Sequence, residues 1–161
     1  LVFSYISSFF GILLIAYFHK NILNDTDLVL MIGSFGASAV LIYAAADSPL
    51  AQPRNLLLGH LFSALIGVVS FKLFSFDILL CSSFAVATSI FVMQLTKSLH
   101  PPGGATALIT AVGSEQIHAL GFFYVLYPVL SGALILYFVA IGTQKINFVK
   151  RYLIRINKKD F

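Results

Sequence analysis

Apolar runs alternate with short polar breaks along the whole chain. Leu1–Phe18 has no charge and is followed by His19, Lys20, Asp25 and Asp27. Leu28–Ala46 is clean up to Asp47, and Asn55–Phe71 is interrupted only by His60 before Lys72 and Asp77. Ile78–Thr96 ends at Lys97, Pro101–Ser114 is short and ends at Glu115, and Ala119–Thr143 is long and clean. Charges confined to the breaks make the runs membrane spans. A crossing takes about 20 helical residues, because about 30 Å of hydrocarbon is crossed at 1.5 Å per residue. Pro101–Ser114 is too short for that as helix alone. It either re-enters, or is a half-helix extended by irregular backbone that protein or water must satisfy.

Composition strengthens this picture. The chain is 59% hydrophobic and 10% charged, whereas a soluble domain is about half apolar and a quarter charged. So short a chain could not hide that apolar surface in a globular core. The fold class expected is an all-α polytopic membrane protein with a membrane domain over 1–144 and a basic tail over 145–161. The bilayer is its first partner. Leu1 opens directly on apolar sequence, without a basic region or small-residue cleavage site, so the first run reads as a helix rather than a signal peptide. Cys81 lies in an apolar run with no second cysteine and reads as packing. The sequon Asn24-Asp25-Thr26 lies too close to a span to be read as a glycosylation site.

Charge sets the expected orientation. With six crossings, Arg54, Lys97 and the tail residues Lys145, Lys150, Arg151, Arg155, Lys158 and Lys159 share one face. The other face carries Asp25, Asp27, Asp77 and Glu115, with only Lys20 and Lys72 as basic residues. The positive-inside bias places both termini in the cytoplasm, in a bacterial inner membrane. A dipping Pro101–Ser114 would separate Lys97 from the tail, which fits less well. The tail itself, with Phe148, Tyr152, Leu153 and Ile156 among its charges, reads as an amphipathic helix held at anionic lipid. It does not call for nucleic acid.

An offset of 68 residues superposes Gly36-Ala37-Ser38-Ala39-Val40 on Gly104-Ala105-Thr106-Ala107-Leu108, and Asp47 on Glu115. Two three-element halves, about 1–72 and 76–144, follow. An odd number of elements inverts the second half, a construction of transporters with the site at the repeat interface. Short helices started by Gly or Pro near Gly36 and Gly104 are expected to point their N-termini into the membrane, where free amides attract an anion.

Two blocks carry a family resemblance. They are Phe35-Gly-Ala-Ser-Ala-Val-Leu to Ser48-Pro-Leu-Ala-Gln-Pro-Arg-Asn55 with Gly59-His60, and Leu99-His-Pro-Pro-Gly-Gly-Ala-Thr-Ala-Leu108. They resemble the HPP family of membrane proteins, named for the tripeptide found here as His100-Pro101-Pro102. Plastid and cyanobacterial members are associated with nitrite transport, which the resemblance implies as a candidate activity.

The expected substrate-binding residues are Gly36, Ala37, Ser38, Arg54, His60, His100, Gly103, Gly104, Ala105 and Thr106. Arg54 either snorkels to lipid phosphate or gathers anions at a vestibule. His60 and His100 either bond neighbours or line and gate a path. Lys97 reads as a cytoplasmic anchor. The function expected is a transporter or channel for a small inorganic anion; the alternative is a structural or assembly subunit. Neither reading excludes a homo-oligomer. Catalysis finds no support, since His-Glu-x-x-His, Gly-x-Ser-x-Gly and paired aspartates within spans are all missing from the sequence. No carboxylate or thiol completes a metal set with the two histidines, and no cofactor is expected.

Overall fold

Helix starts follow local side-chain chemistry in the computed structural model, which describes residues 1–143. The α-helices are α1 (Val2–His19), α2 (Asp25–Ala39), α3 (Pro53–Phe74), α4 (Ile78–Leu95), α5 (Pro101–Val112), α6 (Glu115–Leu120) and α7 (Ser131–Thr143). Asn24 caps α2 by accepting from the Asp27 amide, and Asp77 caps α4 by accepting from the Leu79 and Leu80 amides. Ser114 caps α6 in the same way, while α3 and α5 each begin on proline, whose missing N–H costs nothing there. A π-helical segment, Val40–Ala44, prolongs α2, and another, Val125–Leu130, leads into α7. With these extensions, five described helices are long and apolar enough to cross a membrane: α1, α2, α3, α4 and α7. The expected tail helix over 145–161 lies outside the described residues.

Lipid-facing and interior surfaces are distinct. Helices α1 and α4 expose Phe9, Phe10, Leu13 and Phe18, and Leu79, Phe84, Ile90 and Phe91. Inside lie Ile15, Met31, Phe35, Leu56, Val129 and Leu136, together with a group of serines, threonines and histidines. Polar residues sit inside because lipid offers them no partner.

Among the described residues, the most extensive helix–helix packing is that of α3 with α5. Gly59, Ser63 and Gly67 recur every fourth residue on α3 and face Gly103 and Ala107 of α5. A Cβ on Gly59 would stand 2.6 Å from the His100 Cβ, and one on Gly103 only 3.0 Å from the Gly59 carbonyl oxygen. Small residues at this spacing let two membrane helices approach backbone to backbone. Helix α5 runs antiparallel to α2: Ser34 Oγ of α2 lies 3.0 Å from the Pro102 carbonyl oxygen, and Asp27 accepts from the Ser114 amide at 3.0 Å. Helices α1 and α7 are antiparallel too, joined by Ser7–Thr143 at 2.6 Å and His19–Ser131 at 2.9 Å.

Two expectations are corrected. Gly36 does not start a helix; α2 begins eleven residues earlier, at Asp25, and Gly36 lies near its C-terminal end. Gly104 does lie in a first helical turn, but that turn begins at Pro101. Ala119–Thr143 is not one helix either. Gly121 breaks it with φ 51°, and Tyr127 is extended at φ −141° and ψ 116° before Pro128. A residue preceding proline is pushed out of helical geometry, and proline has no N–H for the ladder.

A buried serine, threonine and histidine network as candidate functional site

Helices α2, α3 and α5 bring five polar side chains into one hydrogen-bonded group. Ser38, His60, His100 and Thr106 are fully buried, and Ser34 is 2% exposed. His60 Nε2 is 2.8 Å from Ser38 Oγ, and its Nδ1 is 2.7 Å from Thr106 Oγ1. Ser38 Oγ also lies 3.0 Å from His100 Nε2, whose Nδ1 faces the Leu50 carbonyl oxygen at 3.0 Å. Ser34 Oγ reaches Thr106 Oγ1 at 2.9 Å. The two imidazoles approach edge to face, with centroids 5.1 Å apart, and Phe35 covers His60 from the other side at 5.0 Å. Each side chain is aimed by its helix. Ser34 and Ser38 are four apart on α2 and therefore share a face, while His100 is fixed as the N-cap of α5.

The expected site residues separate into two sets. Ser38, His60, His100 and Thr106 meet, and buried Gly103 lets α5 come close enough to α3 for them to do so. Ala37 and Ala105 are exposed, and Gly36 and Gly104 half-buried, on other helix faces. A Cβ on Gly36 would meet nothing within 4 Å, and one on Gly104 only Val86 at 4.0 Å. Close backbone approach therefore occurs at Gly103 and not at Gly104 or Gly36. Gly104 and Ala105 instead line an open apolar groove with Val86 and Ile90 of α4.

Arg54 is also placed differently from an anion collector. Its Nη2 donates to the Thr96 carbonyl at 2.7 Å, and neighbouring Asn55 donates to the Leu99 carbonyl at 2.8 Å. Both bonds hold the segment between α4 and α5 against the start of α3. The expected amide cradle is reduced as well. Pro101 and Pro102 have no N–H, and the Gly103 amide donates to the His100 carbonyl at 2.8 Å. Facing N-termini are not formed, since the part of α2 beside His100 is its C-terminal end. The polar group is thus built from hydroxyls and imidazoles rather than from amides. Among the described residues, no three His, Cys, Asp or Glu side chains are grouped to hold a metal ion.

Sequence reasoning missed two contributors, Asp27 and Tyr124. Asp27 looked like a loop charge, yet it is fully buried and accepts from Asn24 Nδ2 at 2.8 Å and from the Ser114 amide and hydroxyl. The signal was available, because asparagine followed three residues later by an acid is a helix-start pattern. Tyr124, which donates to the Thr106 carbonyl at 3.0 Å, left no sequence signal. A hollow of about 110 Å³ lies further along α5, lined by Thr110, Lys72, Ser75 and His118.

Residues 1–153 match the family described as the HPP transmembrane region. The chain belongs to that family. Among its relatives is a transmembrane protein of Dictyostelium discoideum, 45% identical over 153 residues, covering 92% of this chain and 52% of the relative. A second transmembrane protein of the same organism is 44% identical over 151 residues, covering 92% of this chain and 48% of the relative. The chain therefore spans about half the length of these curated relatives. No solved structure matches it. In this HPP region the tripeptide has a clear structural part: His100 stands at the N-cap position of α5 with its ring turned into the network, and the two prolines form the first helical positions.

Proposed function

We propose that this HPP region is a membrane transporter for a small inorganic anion, with nitrite the leading substrate, built as two inverted halves that meet at His60. One observation carries the reading. Ser38 and Thr106, which the 68-residue offset relates, bond the two ring nitrogens of the same buried histidine at 2.8 and 2.7 Å. Inverted-repeat transporters place their site at such a junction, and polar side chains inside a membrane are costly enough to count as functional by default. The antiparallel course of α2 and α5 has the sense that inversion requires. The offset also pairs α1 with α4 and α3 with α7, and α1 packs on α7 as α4 packs on α3.

In this reading α5 and its irregular lead-in make a sixth crossing. His100 lies at the depth of Ser38, and Ser114 at that of Asp27. Both termini then face the cytoplasm, with Arg54 and Lys97. An anion enters by exchanging with the hydroxyl–imidazole bonds, so the network is a gate that opens between α3 and α5.

Nitrite influx into proteoliposomes tests this. The chain should give saturable uptake above protein-free vesicles, reduced at least tenfold in His60→Leu. Uptake equal to protein-free vesicles would overturn the transport reading. The alternative of an assembly subunit would then stand, with the same bonds serving only to lock three helices together.

A further inference from the structure

We infer that the network is also a proton relay, running Thr106–His60–Ser38–His100 to the Leu50 carbonyl, and that the transported anion moves together with a proton. The inference rests on the transport reading and adds the coupling ion. Its basis is the order of donors and acceptors. A carbonyl oxygen can only accept, so His100 Nδ1, 3.0 Å from Leu50 O, carries a hydrogen. In the neutral ring Nε2 is then an acceptor, and Ser38, at 3.0 Å, donates to it. Ser38 Oγ in turn accepts from His60 Nε2 at 2.8 Å, which leaves His60 Nδ1 to accept from Thr106 at 2.7 Å. Thr106 has a single hydroxyl hydrogen, so in this order Ser34 donates to Thr106 Oγ1 at 2.9 Å, and every bond points the same way.

Such a chain holds one extra proton without losing a partner. Thr106 can turn its hydroxyl to the Pro102 carbonyl, 3.5 Å away, and its oxygen then accepts from a doubly protonated His60. Transfer proceeds in balanced steps. The anion enters as its conjugate acid and leaves its proton on His60 Nδ1, the Nε2 proton passes to Ser38 Oγ, and the hydroxyl proton of Ser38 passes to His100 Nε2. The Nδ1 proton of His100 leaves past the Leu50 carbonyl toward solvent, at a turn where Leu50 is half-buried and Pro49 exposed. One proton has entered and one has left, and the chain points the opposite way until its hydroxyls and rings reset.

Among the described residues, the side chains and carbonyl bonded to the two histidines are all uncharged. On α2 the nearest ionisable group is Asp27, tied to Asn24 and Ser114 at the far end of the helix. On α3 it is Arg54, bound to the Thr96 carbonyl. Lys97 lies exposed in the lead-in to α5, and Asp47 lies exposed before the Pro49–Ala51 turn. Tyr124 donates to the Thr106 carbonyl, and Tyr43 donates to the Leu136 carbonyl. Helices α4 and α5 contribute no acid or base there. Both rings are thus bonded by neutral hydroxyls and one carbonyl oxygen, between which a proton can move.

Proteoliposomes loaded with a membrane-impermeant pH dye, given an inward nitrite gradient, should acidify in step with nitrite uptake. Ser38→Ala removes the hydroxyl between the rings and should lower the ratio of protons to nitrite at least tenfold. Monodisperse gel filtration of this variant checks folding, and His100→Gln gives a second break in the same chain. Nitrite uptake without acidification, or an unchanged ratio in both variants, overturns the relay and leaves the transport reading intact. No nitrite uptake by the parent chain overturns both.

Discussion

At the level of single residues, the decisive distinction is between adjacent glycines. Gly103 and Gly104 look equivalent in sequence, but a helix turns about 100° per residue and sends them to different surroundings. A Cβ on Gly103 would press on Ser63 Oγ at 2.8 Å and on the Gly59 carbonyl at 3.0 Å, whereas Gly104 has room. Gly103→Ala should therefore destabilise the protein by about 1–3 kcal/mol, the usual cost of overpacking. Gly104→Ala should be neutral or slightly stabilising, as glycine inside a helix is unfavourable by roughly 0.5–1 kcal/mol relative to alanine. Cys81, the single cysteine and 1% exposed, provides the measurement. A thiol-reactive dye should find it at a lower temperature in Gly103→Ala only. The sequence marked both glycines as special, and only the rotation of α5 against α3 showed which one is packed.

Among the elements, the turn from α4 into α5 sets the depth of His100. Helix α4 ends with the Ser98 amide donating to the Met93 carbonyl at 2.8 Å and the Lys97 amide to the Gln94 carbonyl at 3.1 Å. This is a Schellman termination, whose left-handed position usually carries glycine. Here it carries Lys97 at φ 52°. The left-handed conformation costs an L-residue roughly 1–2 kcal/mol, part of which glycine would return through its looser unfolded chain. Lys97→Gly should thus stabilise the protein by about 1 kcal/mol, read as later exposure of Cys81 on heating. An unchanged or earlier transition would mean that the lysine side chain contributes more than its backbone position costs. The sequence reading treated Lys97 only as a charge, because a lysine gives no local sign of positive φ. Helix α5 itself was legible from its two prolines and its length. The start of α2 was misread because the small-residue repeat at Gly36 drew attention from the cap at Asn24.

Across the whole molecule, the order of passes fixes a sidedness that chemistry can check. The Asn24 amide donates to the Gln116 side chain at 2.9 Å, so the starts of α2 and α6 lie at one end of the bundle. Arg54 and Thr96 lie together at the other, where α3 begins and α4 ends. In a Cys81→Ala background, Thr26→Cys and Gln116→Cys should both react with an impermeant maleimide in intact cells, and Lys97→Cys should not. Reaction of Lys97→Cys together with protection of Gln116→Cys would reverse the proposed orientation. The sequence by itself determined that the protein lives in a membrane and where most of its helices run, and it singled out Ser38, His60, His100 and Thr106 as polar residues within spans. Those facts follow from solvent: lipid excludes charge, so spans show as uncharged runs, and polar residues within them stand out. Tertiary structure alone decided that the four converge, that Gly36 and Gly104 face away, and that Arg54 holds a backbone carbonyl. It also turned Asp27 from a loop charge into a buried clasp. Those outcomes depend on helix rotation and depth, which arise from contacts between residues as far apart as Ser38 and His100. No local pattern in the chain encodes them.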